Sequence, residues 1–94
     1  MGGKLKIKVK YLGAFADVTR SKEETLEIAS PLVGELIDLM VERNGEKFHE
    51  LLIDPATGAL RGGATLLVNG HLRGEGAELS DGDEVALLTA VAGG

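Results

Sequence analysis

The sequence contains one long amphipathic segment, and a sheet formed by the rest of the chain would pack against it. Within residues 32–41, apolar side chains recur at spacings of three and four, which predicts a helix with one apolar stripe. Ser30 and Pro31 predict its start, because Ser caps early amides and Pro needs no donor at the first helical position. Asn44-Gly45 predicts its end. The stripe consists of Leu32, Val33, Leu36, Ile37, Met40 and Val41.

Residues 5–11 alternate apolar and basic side chains. Successive side chains of a strand point to opposite faces, so this alternation predicts a half-buried strand. Residues 22–29 predict a second strand that pairs with the first as a hairpin. Residues 14–18 are expected to be a short connecting segment. The predicted core face of the first strand carries Leu5, Ile7, Val9 and Tyr11, and the other face Lys6, Lys8 and Lys10.

The second half of the chain contains three further strand patterns. Residues 46–53 predict a short helix, and residues 64–68 predict a strand. The Asn69-Gly70 dipeptide predicts a two-residue hairpin turn into a brief return strand at residues 71–73. Residues 84–91 predict the last strand, which is apolar on both faces. Such a strand belongs in the centre of a sheet.

This order of elements predicts an α+β fold of the β-grasp, or ubiquitin-like, type. We expect a mixed sheet of about five strands packed on one main helix, with the last strand parallel to and beside the first. A ferredoxin-like sandwich is the competing arrangement, but it needs a second full helix that residues 74–83 cannot supply. Residues 1–94 are predicted to form a single domain, with residues 90–94 as an extended, flexible carboxyl-terminal tail.

Composition excludes several classes of site. The absence of cysteine excludes disulfides, zinc–thiolate sites, iron–sulfur clusters and a cysteine nucleophile. A net charge of −5 argues against nucleic acid or an anionic membrane as partner. His49 and His71 lack metal-ligand spacing, and the acidic group Asp81, Asp83 and Glu84 lacks the spacing of a calcium loop. We therefore expect no metal site, no bound cofactor and no self-contained active site.

No segment has the length and hydropathy of a signal peptide or a membrane span, so a cytoplasmic location is expected.

The remaining feature is the terminus, where the chain ends in Gly93-Gly94. Two terminal glycines let the backbone enter a channel too narrow for a Cβ. The group that they would deliver is the α-carboxylate of Gly94, which is ionised at neutral pH and is a poor electrophile. Adenylation by ATP would activate it, so a partner must supply the nucleotide site.

Three segments of this sequence resemble the small subunit family of molybdopterin synthase (MoaD), with which thiamine sulfur carriers (ThiS) share a fold and a di-glycine end. They are residues 9–19, residues 66–70, and residues 79–88 running into Val91-Ala92-Gly93-Gly94. The resemblance implies a β-grasp sulfur carrier whose Gly94 is adenylated by an E1-like enzyme that uses ATP and Mg²⁺. The resulting thiocarboxylate would donate sulfur to the pterin precursor of the molybdenum cofactor, within a large catalytic subunit.

Two alternatives stay open from the sequence. Similar archaeal proteins serve as ubiquitin-like modifiers joined to lysines through the terminal glycine. The chain could also be a non-covalent interaction module.

The partner surface is predicted from strand alternation. Leu67, Ala86 and Leu88 should point away from the core, so together with Val91 and Ala92 they form a candidate partner-binding surface. Alternatively, the loop at residues 54–63 folds over these side chains.

Overall fold

The computed structural model describes residues 4–74 and 76–89, so the predicted tail at residues 90–94 lies outside the described residues. The described chain forms five strands and three helices. In chain order they are β1 (Leu5–Tyr11), α1 (Ala14–Thr19), β2 (Glu23–Ile28), α2 (Val33–Asn44), α3 (Glu46–Leu52), β3 (Ala64–Val68), β4 (His71–Leu72) and β5 (Glu84–Thr89).

The five strands form one mixed sheet in the order β2-β1-β5-β3-β4. β1 and β2 are an antiparallel hairpin, with Ile7 opposite Leu26. β5 lies parallel to β1, with Val9 opposite Val85, and antiparallel to β3. The predictions of a β-grasp fold and of a central last strand beside the first are therefore confirmed.

The core lies between one face of this sheet and the helices. α2 contributes Val33, Leu36, Ile37 and Met40, all buried. α3 contributes Phe48 and Leu52, which confirms the predicted short helix. The three aromatic residues of the chain cluster here, because Phe48 stacks edge-on against Tyr11 at 6.0 Å between ring centroids and lies 5.5 Å from Phe15.

α2 begins later than the sequence predicts. Its N-cap is Leu32, in extended backbone conformation and without a side-chain cap. Ser30 Oγ instead accepts a hydrogen bond from the Leu32 amide before the helix starts. Pairing with a distant segment causes the shift, because the amide of Val33 donates to the Ala77 carbonyl and the amide of Leu79 to the Pro31 carbonyl. These long-range bonds hold Leu32 extended, so the helix begins only at Val33.

Residues 14–19 form the short helix α1, so the prediction of a connecting segment at residues 14–18 is wrong. The helix has only six residues and ends at Arg20 in the left-handed conformation. It is too short to show a helical period in the sequence, and it is stabilised by tertiary packing. Phe15, fully buried against Phe48, supplies that packing.

The acidic turn before β5 is a hydrogen-bonded structure. The Asp83 carboxylate accepts from the Asn69 side-chain amide at 2.9 Å and from the Ser80 backbone amide at 2.7 Å. The Asp81 carboxylate accepts from the Lys6 backbone amide at 2.7 Å. These bonds tie the starts of β1 and β5 to the hairpin turn at Asn69, which gives the acidic residues a role in the fold.

A buried tyrosine joins β1, β2 and α2. The Tyr11 hydroxyl donates to one Glu24 carboxylate oxygen at 2.6 Å, and Arg43 donates to the other at 2.8 Å. Burial, and then the bond to Glu24, raises the pKa of Tyr11 well above its ordinary range. The phenol therefore stays protonated and remains a donor at neutral pH.

We expect Tyr11→Phe to lower the free energy of unfolding by about 1–2 kcal/mol, because it removes one hydrogen bond to a charged acceptor. Urea titration of both proteins measures the difference. Glu24→Gln, alone and combined with Tyr11→Phe, completes a double-mutant cycle, and the two effects should not add. Equal stability of Tyr11→Phe and wild type would contradict a contribution from this bond.

The raised pKa also predicts a pH dependence. Above the ordinary tyrosine pKa of about 10, the unfolded chain loses the phenolic proton while the folded chain keeps it, so stability falls as pH rises. The advantage of wild type over Tyr11→Phe should be constant at neutral pH and shrink above about pH 10. Urea titrations of both proteins across this range test it. An advantage that does not change with pH would contradict the raised pKa.

Candidate functional site

The face of the sheet away from the helices carries the residues predicted to bind a partner. Val85 and Leu87 point into the core, so Ala86 and Leu88 point the other way. Leu67 lies opposite Ala86 on β3, and Leu88 lies opposite Thr65. The side chains of Leu67, Ala86 and Leu88 are partly exposed. The structure therefore places them on one face as predicted, while their binding role stays a prediction.

Leu72 extends this surface and was not identified from the sequence. It lies on β4 opposite Leu67, and 72% of it is exposed, the largest value among the exposed large hydrophobic residues. The Asn69-Gly70 turn could have identified it, because a two-residue turn sets the register of the return strand and so places Leu72 opposite Leu67. We call Leu67, Leu72, Ala86 and Leu88 the apolar patch.

Charged pairs formed by residues of β1, β2 and the start of β5 border the apolar patch. Lys10 Nζ lies 3.2 Å from a carboxylate oxygen of Glu84, and Lys8 Nζ lies 3.7 Å from one of Glu23. Lys10 is also the neighbour of Ala86 in the sheet. Exposed pairs of this kind contribute little to stability. An apolar centre with a polar rim is the usual anatomy of a protein interface.

The loop at residues 54–63 is held against α3. The Arg61 amide donates to the Leu52 carbonyl at 2.8 Å, and the Arg61 side chain donates to the Glu50 carbonyl. Ile53 and Leu60 form an isolated bridge that closes the loop. These contacts place the loop on the helix side, so it does not cover the apolar patch as the alternative prediction required.

An open groove of about 470 Å³ lies at the end of β5. One wall is the start of α1 at Ala14, and the other is formed by residues 61–64. Thr89, the last residue described before the terminus, also lines it. The predicted site residues Val91, Ala92, Gly93 and Gly94 lie outside the described residues. The groove is therefore located where the chain continues toward its terminal glycines.

Among residues 4–74 and 76–89, no group of three or more acidic or histidine side chains is arranged to hold a metal ion. In the same part of the chain, no helix is long and apolar enough to cross a membrane. The candidate site among the described residues is therefore the apolar patch, and its binding of a partner stays a prediction.

Structural comparison identifies related proteins. A protein described as molybdopterin converting factor, subunit 1, from Pyrococcus furiosus is 30% identical, with a TM-score of 0.76 over 93% of this chain and 99% of that chain. SAMP1 from Haloferax volcanii is 25% identical, with a TM-score of 0.81 over 95% and 99%. A chain of the BexX/CysO complex from Amycolatopsis orientalis is 26% identical, with a TM-score of 0.70 over 94% and 99%.

Sequence comparison gives the family. Among curated proteins, none matches this sequence. The ThiS family matches residues 9–94. This range includes part of β1, all of the seven other elements, and both terminal glycines. Together with the β-grasp fold, this match confirms the predicted resemblance. The chain belongs to the ThiS family, whose ubiquitin-like fold it shares with molybdopterin converting factor subunit 1 and with SAMP1.

Proposed function

We propose that this chain is a sulfur carrier for molybdopterin biosynthesis, acting as the small subunit of molybdopterin synthase. One observation carries the proposal: the family match runs through Gly93 to Gly94, whose carboxylate would be activated. The 30% identity to the Pyrococcus furiosus converting factor supports the choice of molybdopterin as the pathway. The need for ATP agrees with a cytoplasmic location.

The proposed chemistry takes place at the Gly94 carboxylate. A carboxylate oxygen attacks the α-phosphorus of ATP, which is bound with Mg²⁺ by an E1-like enzyme, and pyrophosphate leaves. The product is an acyl-adenylate, in which AMP is a good leaving group. Hydrosulfide (HS⁻) then attacks the acyl carbon and expels AMP, and loss of the proton on sulfur leaves a thiocarboxylate. Gly93 and Gly94 suit this reaction because they place no side chain beside the reacting carbon.

The apolar patch is the proposed docking surface for the E1-like enzyme and for the large catalytic subunit. Exposed apolar side chains inside a charged rim are typical of such interfaces. The BexX/CysO complex supports a partner of this kind, since the matching chain was solved bound to another protein. Val91 and Ala92, between the patch and the glycines, would enter the partner together with the terminus.

A second function is favoured by the likeness to SAMP1, a small archaeal modifier protein. Its first step would also be adenylation of Gly94. The difference lies in the nucleophile, because a lysine amine of a target protein would attack the acyl carbon and form an isopeptide bond. A non-covalent interaction module, by contrast, would not need the Gly94 carboxylate at all.

We expect deletion of Gly94 to abolish ATP–pyrophosphate exchange with an E1-like enzyme that supports exchange with the wild-type chain. The reason is that the attacking carboxylate moves back by one residue, out of reach of the bound nucleotide. Gly74→Ala is the control, because it also removes a glycine and its Cβ would meet nothing within 4 Å. Equal exchange by the deletion variant and wild type would contradict a role for this carboxylate.

We expect Leu88→Glu and Leu72→Glu to raise the KM for the E1-like enzyme by about tenfold or more, because each places a charge in an apolar contact. The free energy of unfolding, measured by urea titration, should change little for both variants. The change should be smaller for Leu72→Glu, because Leu72 is the more exposed residue. Leu32→Glu is the matched control, since Leu32 is 42% exposed and lies outside the patch. An unchanged KM for both patch variants, or an unfolded Leu88→Glu together with a normal Leu72→Glu, would contradict this docking surface.

A further inference from the structure

The chain contains two Asn-Gly dipeptides, Asn44-Gly45 at the end of α2 and Asn69-Gly70 in the turn between β3 and β4. Asparagine followed by glycine is prone to deamidation, because glycine places no Cβ beside the backbone nitrogen that attacks the asparagine side chain. The structure holds the reacting groups of the two dipeptides differently.

At Asn44-Gly45, both reacting groups are engaged in hydrogen bonds. The Asn44 side-chain amide donates to the Met40 carbonyl at 2.9 Å, and the Gly45 backbone amide donates to the Val41 carbonyl at 2.9 Å. Asn44 is also half-buried. Attack on its side chain would therefore require the last turn of α2 to open.

At Asn69-Gly70, the hydrogen bonds restrain the asparagine. Both residues are exposed, and among the described residues the Gly70 amide donates to no backbone carbonyl. The Asn69 side-chain amide donates to the Asp83 carboxylate at 2.9 Å, and its oxygen accepts from the Glu84 amide at 3.0 Å. We call these two bonds the Asn69 clamp. They hold the group that would be attacked against the start of β5.

We propose that Asn69-Gly70 is a deamidation site and that the Asn69 clamp sets the rate of the reaction. The Gly70 nitrogen attacks Asn69 Cγ and closes a five-membered succinimide ring, while its proton and the side-chain amide leave together as ammonia. Water then opens the ring at either carbonyl, so residue 69 becomes aspartate or isoaspartate. The attack needs the side chain to leave both bonds of the clamp, and the charge of Asp83 disfavours the negative charge that develops on the attacked amide.

The product would disturb the part of the fold that the clamp joins. Its carboxylate replaces an amide nitrogen that lies 2.9 Å from an Asp83 carboxylate oxygen, so repulsion between like charges replaces a hydrogen bond. The turn also leads into β4, which has only two residues and pairs with β3 through Leu72 and His71. Deamidation is therefore expected to loosen the hairpin that carries Leu72 of the apolar patch.

The test follows deamidation of the isolated folded protein at mildly alkaline pH, with peptide mapping that separates the two dipeptides. In wild type, we expect Asn69 to react at least about tenfold faster than Asn44, whose reacting groups are both bonded. Asp83→Ala should raise the rate at Asn69 by about another tenfold, because it removes the charged acceptor of the clamp. The rate at Asn44 should not change, since only global destabilisation would accelerate both sites.

Asp81→Ala is the matched control, because it removes a carboxylate of the same turn that accepts from the Lys6 amide. The rate at Asn69 should stay within about twofold of wild type in this variant. Equal rates at Asn69 in Asp83→Ala and Asp81→Ala would overturn the proposal. So would equal acceleration of both asparagines in Asp83→Ala, or equal rates at the two asparagines in folded wild type.

Wild type unfolded in urea serves if Asp83→Ala does not fold. Unfolding releases the clamp and the helical bonds of Asn44 together, so the two asparagines should react at similar rates. Asn69 should react at least about tenfold faster than in the folded protein. The same rate at Asn69 in the folded and the unfolded chain would overturn the role of the clamp. None of these measurements needs a partner, so their outcome is independent of the proposed function.

Discussion

The parallel pairing of β5 with β1 is the constraint on which the rest of the structure depends. It joins the two ends of the chain in the middle of one sheet, where Val9 and Val85 are neighbours and both are fully buried. A parallel pair needs a crossover connection, and α2, α3 and the strands β3 and β4 lie within it. The crossover builds the core on one face of the sheet. It also means that Thr89, the last residue described, belongs to a strand that has a neighbouring strand on each side.

The pairing of β5 with β1 also determines where the apolar patch and the end of β5 lie on the sheet. Because the helices cover one face of the sheet, the other face of β5 and β3 is left to the apolar patch. The open end of β5 leads to the terminal glycines. In the proposed function, a partner that binds the patch would contact β5, the strand that precedes the terminal segment, so docking would bring the partner to the strand from which the carboxylate is delivered. The absence of cysteine agrees with this division, because the sulfur would be carried on the terminus and not on a side chain.

Local patterns predicted most of this architecture. The alternation in residues 5–11, the apolar stripe of α2 and the Asn69-Gly70 turn each depend on neighbours in sequence. Each was confirmed except at Leu32, a predicted member of the stripe that precedes α2 and is exposed. Long-range contacts explain the differences. α2 begins at Val33 because residues 31–33 pair with residues 77–79, and α1 forms because Phe15 reaches Phe48. Leu72 was missed because its exposure depends on the register of β4 against β3.

The most direct test of the account is the intact mass of the protein isolated from its native cells. Conversion of the Gly94 carboxylate to a thiocarboxylate replaces one oxygen by one sulfur, and fragmentation locates the change at the carboxyl terminus. The account predicts a fraction of the protein with this mass difference at Gly94, lost when the E1-like enzyme is deleted. A terminus found only as the free carboxylate, or only in isopeptide linkage to lysines, would contradict a sulfur carrier.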